Sequence, residues 1–213
     1  MKDFIFVSDF DGTITDIDFD EILLNGVLKN KETELLELWN SGNITVSNFL
    51  KTVYSSVNCT EDELREEILK INIDNSLNDF INFTRENNGD FLIVSSGSSY
   101  YIKILLEYFK INKIDVISNS AIFKNRGLHL LFDKKSPIYS EEFGINKKKI
   151  VEELKNKAKK IYYAGDGRSD LEAALISDKV FSKGELSKSL DSLGVENIKF
   201  KKFNNIKDHL LNS

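Results

Sequence analysis

Two aspartates two positions apart, Asp9 and Asp11, stand in the run Phe4-Ile5-Phe6-Val7-Ser8-Asp9-Phe10-Asp11-Gly12-Thr13-Ile14-Thr15. In extended backbone, residues i and i+2 point to one side, so both carboxylates are expected to converge at the end of a short apolar strand. Gly12 permits a tight exit that a Cβ would resist. Converging carboxylates repel and stay ionised together only beside a compensating cation or donor. A hard divalent ion such as Mg²⁺ suits them. By itself, Asp-Phe-Asp-Gly also reads as an ordinary turn after a strand, because Asp and Gly dominate turns. Three further polar clusters weigh on that choice. Ser95-Ser96-Gly97-Ser98 follows the apolar run Phe91-Leu92-Ile93-Val94, Lys147-Lys148-Lys149 opens a helical stretch, and Gly165-Asp166-Gly167, with Asp170, follows Ile161-Tyr162-Tyr163-Ala164.

These clusters need elements that bring them together. From Phe19 to about Asn87 the apolar spacing is helical and strand-free, in four amphipathic segments and a fifth from Ser76. Thr60-Glu61-Asp62-Glu63 reads as a capping box. Beyond Gly89, short apolar strands alternate with helices: residues 91–94, 114–117, 161–164, 179–181 and 198–200, with a β-hairpin about Asn125-Arg126-Gly127. Such alternation predicts an α/β fold, a Rossmann-like parallel sheet covered by helices on both faces. The helical stretch predicts a small all-helical unit inserted after the first strand. We therefore expect a core over residues 1–17 and 86–213 and a helical insertion over 18–85, the catalytic core and cap of the family that the sequence is shown below to resemble. Ligands of such sheets bind beyond the carboxyl ends of the strands, where each polar cluster lies.

The 213 residues are 41% hydrophobic and 30% charged, enough for one sizeable core and a small accessory unit. A net charge of −5 without a basic block argues against nucleic acid as a partner. The single cysteine, Cys59, excludes an internal disulfide and fits a reducing compartment. No stretch approaches the ~20 apolar residues that span a bilayer, and residues 4–7 are too short for a signal peptide. A soluble, cytoplasmic protein without a membrane partner is the expectation; the pattern leaves oligomeric state open.

Asp9-Phe10-Asp11-Gly12-Thr13, Ser95, Lys147 and Gly165-Asp166-Gly167-Arg168-Ser169-Asp170 occur in the order of the four motifs of the haloacid dehalogenase superfamily of phosphohydrolases. The sequence resembles that family, in its phosphoserine-phosphatase-like branch with a small helical cap. Asp9 to Thr15, Ser118 to Phe123, and Gly144 before Lys147 further resemble the phosphatases of methionine salvage. The resemblance implies a phosphomonoesterase of a small phosphorylated metabolite with Mg²⁺ as cofactor. It selects Lys147 from the lysine run as a phosphate contact, where Lys148 is the competing choice, and it implies a substrate contact for Asp18. That residue reads equally as a helix N-cap.

The chemistry fits these assignments. A phosphomonoester dianion repels a carboxylate nucleophile, so charge neutralisation carries most of the reaction. Asp9, Asp11 and Asp166 are expected to form the metal site, with Asp170 as its support. Asp9 is the expected nucleophile, forming an aspartyl-phosphate. Asp11 is the expected general acid and then base, with a pKa raised relative to that of Asp9. Ser95, Ser96 and the amide of Gly97, opening a helix, suit phosphate oxygens, although either serine also reads as a helix cap. Tyr100 and Tyr101 read as packing. A phospho-receiver domain, a phosphomutase or a phosphate-binding module without turnover shares parts of this set.

Overall fold

The computed structural model describes residues 1–212. The chain opens with β1 (Lys2–Ser8) and then leaves the core for four helices: α1 (Phe19–Asn25), α2 (Glu32–Asn40), α3 (Val46–Ser55) and α4 (Glu61–Ile68). It returns through α5 (Leu77–Glu86), β2 (Gly89–Ser98), α6 (Ser99–Tyr108), β3 (Asp115–Lys124) and β4 (Gly127–Leu131). A two-stranded ribbon follows, β5 (Tyr139–Ser140) with β6 (Gly144–Ile145). The second half comprises α7 (Lys147–Leu154), β7 (Ala158–Gly165), α8 (Leu171–Leu175), β8 (Lys179–Ser182), α9 (Gly184–Ser192), β9 (Ile198–Lys199) and α10 (Phe203–Leu211).

Seven strands form one sheet in the order β4-β3-β2-β1-β7-β8-β9, parallel throughout except for the β3–β4 hairpin. The expected doubly covered sheet is present. Alternation along β1 sends Phe4 and Phe6 into one buried cluster, with side chains of α5, α6 and α10. Ile5 and Val7 enter the other, with side chains of α7, α8 and α9. Because both faces are buried, β1 reads as a continuous apolar run rather than an alternating one. The hairpin turn carries positive φ at Asn125 (51°) and Arg126 (63°), as a two-residue turn matched to strand twist requires.

Three boundaries differ from expectation. Helix α5 packs on β2 and α10, so it covers the sheet rather than belonging to a cap that ends at residue 85. Its apolar face carries Phe80, whose ring lies 4.7 Å from that of Phe6 and 5.3 Å from that of Phe203. The lid is α1–α4, and the chain re-enters the core where Ile73 bridges Thr15. Strand β3 runs unbroken from Asp115 into the hairpin, joining what the spacing divides in two. Strand β2 continues to Ser98, with an irregular register between Ser95 and Ser98. The cap of α6 is consequently Ser98, whose side chain accepts from the Tyr100 amide at 3.0 Å. That leaves Ser95 and Ser96 free of capping.

The lid is tied to the core on two sides. The Ser47 amide donates to the Glu142 carbonyl (2.9 Å), and the Cys59 amide to the Arg126 carbonyl at the hairpin tip (3.1 Å). The predicted capping box of α4 is present: Thr60 accepts from the Glu63 amide at 3.2 Å, and Glu63 accepts from the Thr60 amide at 2.6 Å. Among the described residues no helix is long and apolar enough to cross a membrane.

Phe80 is fully buried among Phe6, Phe83, Phe91 and Phe203. Phe80→Ala is expected to lower unfolding free energy by about 3–5 kcal/mol, the usual cost of such a cavity. Urea denaturation followed by circular dichroism measures it. A loss below about 1 kcal/mol would mean that α5 does not seal the sheet as described.

Candidate active site

The register of the central strands assembles the site. Ser8 pairs with Ile93 on β2 and with Ala164 on β7. Asp9 and Asp166 therefore stand just past the carboxyl ends of β1 and β7, beside Ser95 in the last residues of β2. The Asp9 amide donates to the Ala164 carbonyl at 2.9 Å, extending the ladder by one bond. The chain then turns sharply, with the amides of Thr13, Ile14 and Thr15 all directed at the Phe10 carbonyl and Gly12 at φ +66°. A Cβ at Gly12 would collide with the Asp166 carboxylate, so this position requires glycine for space as well as for conformation.

One ammonium group organises the acidic side chains. Lys147, the first residue of α7 and 2% exposed, lies 2.7 Å from Asp9 Oδ1 and 2.7 Å from Asp170 Oδ1. Lys148 and Lys149 are more exposed, and Lys149 supplies the amide that Asn146 caps. Asp170 is saturated: Tyr163 donates to Oδ1 at 2.7 Å, and the amides of Asp166 and Gly167 donate to Oδ2 at 3.0 Å each. Asp166 accepts from the Thr13 hydroxyl through Oδ1 at 2.8 Å. Asp9 and Asp166 each keep Oδ2 without a hydrogen-bond partner among the described residues.

Asp9, Asp166 and Asp170 offer carboxylate oxygens that all lie within 4.8 Å of one another. Two buried carboxylates and one partly buried one beside a single ammonium leave an excess of negative charge, and hard oxygen donors of that kind fit a divalent cation. Asp170, with both oxygens engaged, suits an orienting role, which leaves Asp9 and Asp166 with unengaged oxygens for an ion. The Asp11 carboxylate is not part of this group. The same-side rule applies to extended backbone, and β1 ends at Ser8, so the turn through Gly12 carries Asp11 toward α6. There its Oδ2 accepts from the Tyr101 hydroxyl and from Ser95 Oγ at 3.3 Å, and its Oδ1 from the Phe19 amide at 3.4 Å.

The serine loop also differs in detail. Ser95 Oγ accepts from the Gly97 amide at 2.9 Å, so that amide is engaged within the loop. Ser96 instead carries a buried Oγ with no partner among the described residues, and its carbonyl is held by Asn119 Nδ2 at 2.7 Å. Motif order alone did not single out Tyr101, which lies six residues past Ser95 on a helix face otherwise devoted to packing. Asp18 does occupy the N-cap position of α1, but its side chain makes no cap hydrogen bond; it lines the cleft instead.

The charges respond to this enclosure. Burial, then the Asp170 and Asp166 carboxylates, push Asp9 well above the usual carboxylate range against the pull of Lys147. Burial also raises Asp11, opposed by Tyr101 and the Phe19 amide. Both carboxyls are thus held above their ordinary range, Asp9 with two carboxylates beside it and Asp11 with neutral donors opposing its burial. Burial and Asp170 take Asp166 to about 6. Burial and Asp11 take Asp18 to about 8 and Asp20 to about 7. Asp170 stays low because Lys147 and Tyr163 outweigh its burial. Burial opposes the charge of Lys147, but Asp170 and Asp9 hold its pKa above the ordinary value.

Over these groups lies a cleft of about 420 Å³. The lid lines it with the apolar side chains of Leu24, Leu36, Trp39, Phe49 and Leu50 and, from the start of α1, with the acidic ones of Asp18, Asp20 and Glu21. Arg168 is the one cationic side chain among the described residues lining it.

Residues 6–175 match the family model of haloacid dehalogenase-like hydrolases. A 2-hydroxy-3-keto-5-methylthiopentenyl-1-phosphate phosphatase of Bacillus velezensis is 27% identical, over 98% of this chain and 90% of its own. A polyol phosphate phosphatase of Saccharomyces cerevisiae is 30% identical, over 97% of this chain and 90% of its own. A solved structure described as a phospho-aspartyl intermediate analogue of phosphoserine phosphatase shares the fold with a TM-score of 0.73 at 14% identity, covering 98% of this chain and 99% of that one. With the match running from β1 through the acidic loop to α8, this chain belongs to the haloacid dehalogenase-like hydrolase family.

Proposed function

We propose that this hydrolase is a Mg²⁺-dependent phosphatase of a small phosphorylated metabolite, with Asp9 as nucleophile. The observation that carries this reading is the separation of roles among the acidic groups. Asp9 stands with Asp166 and Asp170 about one lysine, while Asp11 is held two residues away by neutral donors. When bound among these carboxylates, the cation would offset the charge of an incoming phosphate dianion and orient it. Lys147 spends two contacts on Asp9 and Asp170; an ammonium has three donors, so one is left for a phosphate oxygen. The hydroxyl of Ser96, without a partner among the described residues, is a further donor at the same strand end, whereas that of Ser95 is turned to Asp11.

In this reading the Asp9 carboxylate attacks phosphorus, and the bond to the leaving oxygen breaks as an aspartyl-phosphate forms. Asp11, raised by burial, gives its proton to that oxygen. It then takes a proton from the water that attacks the phosphoryl group, restoring Asp9. The lid excludes bulk water from this exchange.

The apolar lid wall supports a substrate whose remote end is uncharged. A thioether tail, as in the substrate named for the Bacillus relative, suits Leu24, Trp39 and Phe49 better than a polyol or the carboxylate of phosphoserine. The single cysteine supports work in a reducing cytoplasm.

Phosphate release from p-nitrophenyl phosphate with Mg²⁺ is the direct test. Asp9→Asn should abolish it, and retained turnover in that variant would remove Asp9 from the nucleophile's role. In a panel of phosphomonoesters, the 5-methylthiopentenyl enol phosphate should give a higher kcat/KM than phosphoserine, phosphocholine or a polyol phosphate. The opposite ranking would overturn the tail assignment.

Stability should also report the cation. In chelator, Asp166 and Asp20 titrate near 6 and 7 in the fold, against 3.8 for a free aspartate. Between those values the folded state binds more protons than the unfolded one, so stability falls as pH rises through about 4 to 7. The urea midpoint in EDTA should be lower at pH 8 than at pH 5, and millimolar Mg²⁺ should raise it more at pH 8. Equal effects of Mg²⁺ at both values would mean that the ion does not bind at Asp166.

A further inference from the structure

Resting on the phosphatase reading, we propose that Tyr101 is a positioning residue for Asp11, and that its ring stack with Phe19 ties that positioning to the docked lid. Tyr101 lies on α6, in the core, and is fully buried. A buried phenol needs a hydrogen-bond partner, and its hydroxyl is directed at Asp11 Oδ2. A phenylalanine would fill the same space, so the hydroxyl serves this contact rather than packing. Gly97 makes room for it: a Cβ there would collide with the Tyr101 hydroxyl and lie 2.8 Å from Asp11 Oδ2.

Ser95 Oγ adds a second, longer contact to the same oxygen at 3.3 Å. With Oδ2 fixed from the core side, the carboxylate cannot rotate freely, and Oδ1 becomes the edge that exchanges a proton with the leaving group. Among the described residues Oδ1 meets only the Phe19 amide, at a weak 3.4 Å. Phe19 is the first residue of α1, where the chain leaves for the lid. Its ring stacks on Tyr101 at 4.2 Å and 28°, and meets Tyr54 of α3 edge-on at 5.2 Å. One aromatic residue at the root of the lid therefore touches both the anchor of the acid and a second lid helix. Displacing α1 would remove the Phe19 amide and loosen the Tyr101 ring together. Asp11 is thereby held in its working orientation only under the closed lid.

The test compares leaving groups in Tyr101→Phe, which keeps the ring and the stack. An alkyl phosphate such as n-butyl phosphate needs a proton delivered to its leaving oxygen, whereas p-nitrophenolate departs without one. For n-butyl phosphate, kcat should fall about 10- to 100-fold with KM within about twofold, the scale of a misoriented catalytic group. The first-turnover burst of p-nitrophenolate should match wild type. Phe19→Leu, which keeps the hydroxyl but loosens the ring, should lose kcat on n-butyl phosphate to a smaller extent. It serves alone if the tyrosine variant does not fold by circular dichroism. An unchanged kcat on n-butyl phosphate, a rise in KM instead, or an equally slowed burst would overturn the proposal. A wild-type chain inactive on both substrates would instead refute the phosphatase reading beneath it.

Discussion

A single buried ammonium among buried carboxylates is the constraint on which the rest of this site depends. Lys147 is almost fully enclosed and bridges Asp9 and Asp170 at 2.7 Å each. Removing two carboxylates and much of a third from water is costly, and one cation offsets only part of that cost. The fold supplies the remainder to Asp170 through Tyr163 and two backbone amides, and it leaves Asp9 and Asp166 under-compensated. Their raised pKa values are the signature of that arrangement. A lysine in the first turn of a helix also works against the helix dipole. Pairing with two carboxylates explains why it is tolerated there.

Crossover topology makes such a cluster possible. β1 is central, and its neighbours β2 and β7 belong to distant parts of the chain. Parallel pairing brings their carboxyl ends to one edge, so Asp9, Ser95 and Asp166 meet although the first and last are more than 150 residues apart. The polar site costs stability, and the two apolar clusters beneath it provide a firm base. On one face this base is aromatic, with Phe6, Phe80, Phe91 and Phe203 in mutual ring contact.

The lid contributes walls more than charge. Its helices bring apolar side chains and acidic ones to the cleft, and hydrogen bonds to the loop at residue 142 and to the hairpin tip hold it in place. Asp18 and Asp20 sit in that enclosure with carboxyls raised to about 8 and 7, chiefly by burial. Arg168, contributed by the acidic loop of the core rather than by the lid, is the one positive side chain among the described lining residues.

Residue order determined the cores of the sheet strands, the covered parallel sheet, the hairpin and the acidic clusters, because apolar periodicity and turn chemistry are local properties; the extensions of β2 and β3 and the short β5–β6 ribbon were not legible in it. The meeting of Asp9, Ser95, Lys147, Asp166 and Asp170 was legible as well, since strand ends of a parallel sheet share an edge. Tertiary structure alone decided the rest. Whether α5 belongs to lid or sheet depends on which rings receive Phe80, and helical spacing is the same in either case. The Asp11 carboxylate stands apart from the cluster of Asp9, Asp166 and Asp170 because a turn, not a strand, follows Ser8, and side-chain direction there is set by non-local donors. Tyr101 became part of the site because its hydroxyl reaches across from another element, a relation that no spacing along one helix encodes.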